Sequence, residues 1–264
     1  MPGRKTADHF ARLLTYEWSP GRPNIGFVSE SGGTIVGTFV GIYSTRKIGG
    51  QDVNLCNLSA WCVHPNFRQH SMALARTILA QTGLTFTAMS ATPEAQTLWT
   101  NLKLTQLDNH KWITAPVSAG LWAITAKSTA IRLPSLPSWI GSEVRKLLAD
   151  HIKIGFLAFT LGKGEDTCLL IGVKRRALRF SYFDVLYASD WLSLKTRLGL
   201  ASATAWRCVG TPLLGIEGRH LHRPPLLSRK ISRQSFFVSR TLTPQQIDGL
   251  YTEIALSYAL PGDS

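Results

Sequence analysis

The apolar positions in the first quarter of the chain tend to recur at every second residue in two long runs, which glycines interrupt and separate. Alternation of this kind predicts strands with one buried face, and Val, Ile, Phe and Tyr favour extended backbone. The sequence therefore predicts an antiparallel meander of strands in the segments PNIGFVSES, GGTIVGTFVGIYSTRKIGG and QDVNLCNLSAWCV.

The period of the apolar positions changes after residue 70. In SMALARTILAQ, five apolar residues between Met72 and Leu79 lie near helical spacing, which predicts a helix that begins near Ser71. The next segment, LTFTAMSA, predicts a short strand, and Thr92 followed by Pro93 is typical of the start of a second helix. The first half therefore has the order meander, helix, strand, helix.

The second half predicts a similar mixture of elements. Strands are expected in IKIGFLAFTL, TCLLIGVKR and LRFSYFDVLYAS, and a closing helix in PQQIDGLYTEIAL, beginning at Thr243 or Pro244. The prolines, serines and glycine of Arg132–Gly141 interrupt the periodicity, so this segment is the predicted domain boundary. We expect an α+β protein with domains at 1–130 and 131–264, whose similar length and composition are compatible with a diverged duplication.

Length and composition place the chain among globular proteins. Its 264 residues, 44% of them hydrophobic, are enough for one large domain or two small ones. The segment MPGRKTADHF lacks the apolar run of a signal peptide, and no stretch approaches the roughly 18 apolar residues of a membrane span. We therefore expect a cytoplasmic protein without a membrane span.

The charge is basic and uneven. The chain has 29 Lys and Arg against 16 Asp and Glu, a net charge of +13. Residues 1–130 contain 11 cationic and 6 acidic side chains, and residues 131–264 contain 18 and 10. The cations of the second half cluster in Lys174–Arg179 and Gly218–Arg233. This field either attracts polyanions, such as nucleic acid, acidic proteins or phosphorylated cofactors, or is an ordinary solvated surface.

The cysteines do not form a recognisable framework. Cys56, Cys62, Cys168 and Cys208 include no CxxC pair, and a chain of this size does not need disulfides to fold. We therefore expect reduced, buried thiols and no disulfide bond.

The turn between the last meander strand and the first following helix offers an anion site. A helix directs its free N–H groups and the positive end of its dipole toward an anion at its N-terminus. Arg68 adds a permanent charge with forked donors, Gln69 and Ser71 add neutral hydrogen bonds, and the small Ala73 leaves room for a ligand. Such a turn can bind pyrophosphate, although an ordinary surface turn with Ser71 as a helix cap has the same residues.

The pattern V-x-P-x-[FY]-R-x-x-S-x-A-L in this turn resembles the coenzyme A-binding motif of the GNAT superfamily of N-acyltransferases, Arg or Gln, two residues, Gly, any residue, Gly or Ala. Ser71 replaces the first Gly of that motif. Downstream, Thr92 replaces the usual Asn, Trp99 replaces a Tyr, and Lys103 with Leu104 replaces a Gly-Phe strand start. The resemblance covers roughly residues 20 to 110, and the second half is similar to the degenerate GNAT-like partner domain of larger family members.

The resemblance implies a function and a site. It implies a mainly antiparallel sheet flanked by helices, followed by a second GNAT-like half, and transfer of an acyl group from acetyl-CoA or a longer acyl-CoA, or from an acidic acyl carrier protein, to an amine. Trp99 stands at the position of the catalytic Tyr that protonates the leaving thiolate, which an indole cannot do. The implied coenzyme A-binding residues are Trp61, Cys62, Val63, Arg68, Gln69, His70, Ser71, Met72 and Ala73.

Other chemistries have weaker patterns. Cys62 and His64 have the residue types of a nucleophilic dyad, but a core cysteine is commoner on a strand, so we predict that Cys62 is a packing residue. His220, His222 and Cys208 are metal-ligand types without a nearby carboxylate other than Glu217, and we predict no metal site.

Two questions stay open from the sequence. The base that activates the amine could be any of Glu30, Asp52 and Glu94. The alternative function is a non-catalytic basic protein that binds nucleic acid or a regulatory partner, with the aromatic residues of WRCVG and SFFVSR stacking on bases.

Overall fold

The computed structural model describes residues 7–107, 110–115, 128–131, 140–162, 167–177, 180–221, 223–232, 235–239 and 241–258. The helices within these ranges are α1 (Ala7–Thr15), α2 (His70–Leu79), α3 (Pro93–Asn101), α4 (Ser142–Ile152), α5 (Trp191–Thr196), α6 (Leu198–Val209) and α7 (Glu253–Tyr258). The strands are β1 (Gly26–Ser31), β2 (Thr34–Ile48), β3 (Gln51–Val63), β4 (Thr85–Ala91), β5 (Thr105–Leu107), β6 (His110–Thr114), β7 (Ser128–Ile131), β8 (Leu157–Leu161), β9 (Cys168–Ala177), β10 (Phe180–Ala188), β11 (Leu214–Glu217), β12 (Ser228–Ser232) and β13 (Ser235–Val238).

The chain divides into two compact units. Unit 1 comprises Met1–Leu107, Gln234–Ile247 and Tyr251–Ser257. Unit 2 comprises Asp108–Arg233, Asp248–Leu250 and Tyr258–Ser264. This division differs from the predicted one at 130/131, because the chain changes unit after Leu107 and returns to unit 1 near its end. Most of the proline-rich segment that carried the predicted boundary, residues 132–139, lies outside the described residues.

Unit 1 is built on a six-stranded sheet with the order β1-β2-β3-β4-β13-β5. The predicted meander is present, since β1, β2 and β3 pair antiparallel through tight turns. Helix α2 packs its buried residues Leu74, Ala75 and Ile78 against this sheet. The chain then returns through β4, which runs parallel to β3.

Unit 2 repeats this arrangement in a seven-stranded sheet with the order β12-β6-β11-β10-β9-β8-β7. Strands β8, β9 and β10 form an antiparallel meander, α5 and α6 follow, and β11 runs parallel to β10. The core of unit 2 includes Phe159, Leu170, Phe183 and Leu194, none of which has solvent exposure. The predicted mixed α+β fold with two similar halves is therefore confirmed.

Each sheet takes one strand from a distant part of the sequence. In unit 1, β13 lies between β4 and β5, antiparallel to both. In unit 2, β6 lies between β11 and β12, again antiparallel to both. The chain therefore leaves sheet 1 at β5 and enters sheet 2 at β6, and it makes the reverse change from β12 to β13.

One of the predicted helix starts needs correction. Helix α2 begins at His70, close to the predicted start near Ser71, and two residues separate it from a 3-10 turn at Pro65–Phe67. The closing helix does not begin at Thr243 or Pro244, where the chain forms a single 3-10 turn closed by a Thr243–Gln246 capping box. It begins at Glu253, because the left-handed backbone of Tyr251 separates the two. In the described part of the chain, no helix is long and apolar enough to cross a membrane.

Candidate functional site

Strands β3 and β4 of unit 1 separate partway along their length. Their parallel pairing covers only Leu55–Asn57 on β3 and Thr85–Thr87 on β4, although β3 continues to Val63 and β4 to Ala91. The buried Asn57 amide closes the paired part, donating to the Thr87 hydroxyl at 3.1 Å and to the Thr87 carbonyl at 3.3 Å. Beyond this point β3 has an edge that no described strand on the β4 side pairs with.

A bulge in β3 lies next to this opening. Val40 pairs with Ser59 and Thr38 pairs with Cys62, so the single residue Phe39 on β2 faces both Ala60 and Trp61. Ala60 has a φ of 45°, a left-handed conformation that costs a residue with a side chain about 1 kcal/mol or more. Bulges of this kind reorient backbone N–H groups and are common beside active sites.

An aromatic cluster forms one wall of the opening. The Trp61 ring centroid lies 5.1 Å from that of Phe39 and 5.0 Å from that of Trp99. Trp99 is only 3% exposed, so it occupies the core at the position predicted for the catalytic acid. The buried Oγ of Ser59 and the Nε1 of Trp61 have no hydrogen-bond partner within the described ranges. Two buried polar atoms next to the opening thus lack a hydrogen-bond partner in the described structure.

The turn after β3 carries the predicted anion-binding residues. The N-cap residue of α2, Gln69, makes no side-chain cap hydrogen bond, and the first turn of this described helix contains no acidic residue. Arg68 and Gln69 are exposed. Ser71 lies within helix α2 and is not among the described non-glycine residues with positive φ, so its replacement of the Gly in the resembled motif needs no unusual backbone.

The structure brings the predicted ligand-binding residues onto one continuous stretch from β3 into α2. Among these residues, His70 is held by a contact of 2.5 Å between its Nδ1 and the Ser29 hydroxyl. The exposed members are Cys62, Arg68, Gln69 and Ala73, and the partly buried members are Trp61, Val63, His70, Ser71 and Met72. This stretch follows directly from the edge that faces the opening.

Two predictions about the cysteines are wrong. Cys62 is exposed rather than packed in the core, as is Cys208, while Cys56 and Cys168 are buried. The bulge at Ala60 explains the first error, because one extra residue shifts every later side chain to the other face of the strand. Burial raises the pKa of the Cys56 thiol to about 12. The Nδ1 of His64 accepts a hydrogen bond from the Asn66 N–H at 3.3 Å, so this atom is engaged within the turn.

The three carboxylates considered as bases, Glu30, Asp52 and Glu94, are all exposed. Hydrogen bonds from the Glu94 backbone and the Thr92 hydroxyl lower the pKa of Glu94, with a smaller contribution from the charge of Arg68. Sequence reasoning missed Glu253, which is 2% exposed. Its N–H donates to the Asn57 side chain at 2.9 Å, and its Oε1 accepts from the Ser90 hydroxyl at 2.8 Å.

Glu253 therefore lies where β3 and β4 separate, in contact with residues of both strands. No pattern in the sequence connects it with this site, because 196 positions separate it from Asn57. The only available signal was a carboxylate in an otherwise apolar segment, TEIAL.

The corresponding place in unit 2 is closed. The parallel pairing of β10 with β11 ends at Asp184, and a register shift after Val185 repeats the bulge of β3. Asp184 is buried and forms ion pairs with Lys111 and Arg175. At the start of α5, the Asp190 carboxylate accepts hydrogen bonds from the N–H groups of Leu192 and Ser193. An acidic side chain thus occupies the helix end that an anion would need.

Two other sequence-based interpretations change. Phe236 and Phe237 of SFFVSR are each 1% exposed within β13, so they cannot stack on bases. His220 is also buried, with its ring stacked 3.7 Å from that of Trp191, and His222 lies outside the described residues. Across the described ranges, no three His, Cys, Asp or Glu side chains are grouped as a metal site would require.

Comparisons with known proteins identify the fold. A GCN5-related N-acetyltransferase from Anabaena variabilis ATCC 29413 aligns with a TM-score of 0.52 and 13% identity over 80% of this chain and 61% of that structure. A protein from Enterococcus faecalis V583 described as a probable N-acyltransferase aligns with a TM-score of 0.52 and 12% identity over 89% of this chain and 66% of that structure. This chain thus spans less than two thirds of either protein. No protein-family model and no curated protein matches the sequence. At these identities the likeness shows the fold, which is that of the GCN5-related N-acetyltransferases, or GNAT superfamily.

Proposed function

We propose, on the premise that this chain has the fold of the GNAT superfamily, that unit 1 transfers an acyl group from a coenzyme A thioester to an amine. The observation that carries the proposal is the opening between β3 and β4, which begins at Asn57 and leads to the first turn of α2. A strand edge without a partner, a bulge and a helix N-terminus without an acidic cap lie in succession along one segment of chain.

The phosphates of the donor bind at the start of α2. The helix N-terminus attracts an anion, and Arg68 adds a charge-assisted hydrogen bond. The exposed Gln69 adds a neutral donor to the same turn. The absence of an acidic residue from this described turn leaves the positive end of the helix dipole uncompensated.

The pantetheine arm then lies along the open edge of β3. Its amide groups pair with the backbone of Trp61, Cys62 and Val63 as an added strand would. The residues present fit such a ligand, because the Ser59 hydroxyl and the Trp61 indole N–H are buried polar groups without a partner in the described structure. A backbone N–H beside the bulge at Ala60 would hold the oxygen that becomes negative when the amine attacks.

The proposed reaction requires one residue that accepts the proton of the amine. It does not require Trp99 to donate a proton to the leaving thiolate. A thiolate whose parent thiol has a pKa of roughly 8.5 is a tolerable leaving group near neutral pH, so the indole need not donate a proton. Trp99 instead packs in the wall of the opening. Glu253 is the buried carboxylate at the opening, and we assign to it the removal of the proton from the attacking amine.

The donor is either acetyl-CoA or a longer acyl-CoA, or the equivalent thioester on an acyl carrier protein. The net charge of +13 favours association with an acidic carrier as well as with the phosphates of coenzyme A. Titration with coenzyme A thioesters and with an acyl carrier protein carrying the same acyl group would distinguish these donors.

The test of this function is calorimetric titration of acetyl-CoA into wild-type protein and into Arg68→Ala. We expect the substitution to weaken binding by about 1.5 to 3 kcal/mol, because a charge-assisted hydrogen bond to phosphate is lost. Arg76→Ala is the matched control, since Arg76 is an exposed arginine in the last turn of the same helix. Equal affinity in the folded Arg68 and Arg76 variants would refute the phosphate site.

A further inference from the structure

An apolar cavity of about 350 Å³ opens in unit 1 beside the bulge of β3. Its walls include Phe10 and Leu14 of α1, Ile25 directly before β1 and Val28 of β1, and its inner end reaches Ala60. Phe10, Ile25 and Val28 are 42%, 44% and 59% exposed, so the cavity has an apolar entrance. Exposed apolar side chains grouped around a concave site are typical of a ligand-binding surface.

The cavity lies on the face of the sheet opposite α2. Phe39 packs into the cluster that contains Leu74 and Ile78 of α2, which places its side chain on the α2 face. Its neighbours Thr38 and Val40 point to the other face, because side chains alternate along a strand, and both line the cavity together with Phe39 itself and Phe27. The cavity is therefore lined mainly from the face opposite α2 and approaches the bulge at Ala60 from that face.

The residues that line the cavity have almost no polar side chains. Thr38 is the one polar side chain among the ten lining residues of the described chain, and none of the ten is charged. An amine would lose its hydration in such a site without gaining a carboxylate partner, which is unfavourable. A hydrocarbon chain gains free energy from the same transfer.

The position of Ala60 connects the cavity with the reaction. Ala60 is both the extra residue of the bulge and part of the cavity wall. In the proposed function, the thioester carbonyl lies beside this bulge, so the acyl chain attached to that carbonyl begins at the inner end of the cavity. At about 30 Å³ per water-sized group, the cavity holds on the order of ten such groups, and a methylene is of similar size.

We propose that this cavity binds the acyl chain of the donor and makes the protein selective for medium-chain acyl thioesters over acetyl thioesters. This inference rests on the proposed function, because it assumes that the thioester lies at the bulge. The acyl-chain site can still be wrong while the proposed function is right, since coenzyme A binding through Arg68 does not require a cavity on the other face of the sheet.

The experiment is titration of the wild-type protein with acetyl-, butyryl-, octanoyl- and palmitoyl-CoA. Each methylene that enters the cavity should tighten binding by up to about fourfold, and octanoyl-CoA should bind at least about 100-fold more tightly than acetyl-CoA. The gain should stop once the cavity is full, so palmitoyl-CoA should gain much less per added methylene over octanoyl-CoA than octanoyl-CoA gains over butyryl-CoA.

Val28→Trp tests the location. Val28 is an exposed β1 residue at the cavity entrance, so a larger ring should fill the cavity without disturbing the core. We expect acetyl-CoA affinity to stay within about twofold of wild type, while the advantage of octanoyl-CoA falls below about fivefold. Ile35→Trp is the matched control, because Ile35 is equally exposed at 61% on the adjacent strand β2 and does not line the cavity.

The outcomes separate the two proposals. Equal wild-type affinity for all four thioesters, or an unchanged octanoyl preference in folded Val28→Trp, would overturn the acyl-chain site and leave the proposed function standing. If Val28→Trp instead raised KM for apolar amines without changing donor affinity, the cavity would bind the acceptor and the inference would be wrong. Failure of the wild-type protein to bind any coenzyme A thioester would overturn both proposals.

Discussion

Lys103 has a backbone conformation that favours glycine and is unfavourable for a residue with a side chain. It follows α3 with a φ of 67°, and the N–H of the next residue, Leu104, donates to the Trp99 carbonyl at 3.0 Å. This is the Schellman arrangement, in which the position of Lys103 favours Gly. Lys103 and Leu104, which stand where the resembled motif has Gly-Phe, therefore form a helix end with the left-handed backbone that Gly adopts most readily.

We predict that Lys103→Gly stabilises unit 1. The left-handed conformation costs a residue with a side chain about 1 to 2 kcal/mol, and the greater freedom of Gly in the unfolded chain offsets part of the gain. The free energy of unfolding should rise by about 0.5 to 1 kcal/mol in urea titrations. Lys103→Ala controls for loss of the exposed side chain and should show no gain. A less stable Gly variant would mean that the lysine side chain itself stabilises this turn.

Glu253 carries the second prediction at this scale. Glu253→Gln keeps the size of the side chain and its ability to accept the Ser90 hydrogen bond, but it cannot take a proton from the amine. We expect kcat to fall by about 100-fold or more while the Kd of the donor stays unchanged. The acidic limb of the pH–rate profile should also disappear. Glu30→Gln, at an exposed carboxylate, should behave as wild type; similar kinetics for both variants would show that Glu253 has only a structural role.

At the scale of elements, the stacked pair of His220 and Trp191 makes unit 2 sensitive to acid. Burial lowers the pKa of His220 to about 2, and the positive charges of Arg219, Lys195 and Lys111 contribute in the same direction. The folded protein thus keeps this imidazole neutral, whereas the unfolded chain protonates it below about pH 6.5. Since the unfolded state binds the extra proton, stability is fully present above pH 6.5 and is lost as the pH falls.

We predict that the free energy of unfolding decreases by up to about 1.4 kcal/mol per pH unit below pH 6.5 through this residue. His220→Phe retains an aromatic ring against Trp191 and cannot titrate, so its unfolding curves at pH 7 and pH 5 should differ less than those of wild type. Urea unfolding at both values, followed by tryptophan fluorescence, measures this difference. An equal pH dependence in the two proteins would mean that His220 has the same pKa in the folded and the unfolded state, and the prediction would be wrong.

Sequence patterns predicted the individual helices and strands better than they predicted which strands pair with each other in the sheets. The meander β1 to β3 and the helix α2 follow from local alternation and helical spacing, which depend on neighbouring residues. Strand β13 was not predicted as part of the first half, because its partners β4 and β5 lie more than 120 residues earlier. The site divides in the same way. The phosphate turn follows from Arg68 and its neighbours and stays a prediction, whereas the bulge at Ala60 and the contact of Glu253 with Asn57 depend on the register of distant strands.

The described parts of the chain contain the same arrangement twice, and of these two arrangements the one in unit 1 is open. Unit 1 has an uncapped helix end at Gln69 beside separated strands, and unit 2 has the Asp190 carboxylate at its corresponding helix end. Like charges repel, so a phosphate cannot replace Asp190 without a large cost. On the proposed function, we therefore expect the second copy of the fold not to bind a donor.

We predict a stoichiometry of one coenzyme A thioester per chain. Calorimetric titration should give a single class of sites with n close to one, and Arg68→Ala should weaken all of the binding rather than half of it. Asp190→Ala should lower stability by about 1 kcal/mol through loss of a helix cap, without changing the stoichiometry or affinity. A second binding event in wild type, lost on substitution in unit 2, would contradict this assignment.

The exchange of strands between the sheets also has a consequence for synthesis on the ribosome. Strands β4 and β5 are complete once Leu107 has been added, but their common partner β13 ends only at Val238. At about 5 to 20 residues per second, the ribosome needs about 7 to 26 s to make the intervening chain. During this interval the nascent first unit presents two unpaired strand edges to its surroundings or to a chaperone, and it completes its sheet only after β13 has been synthesised.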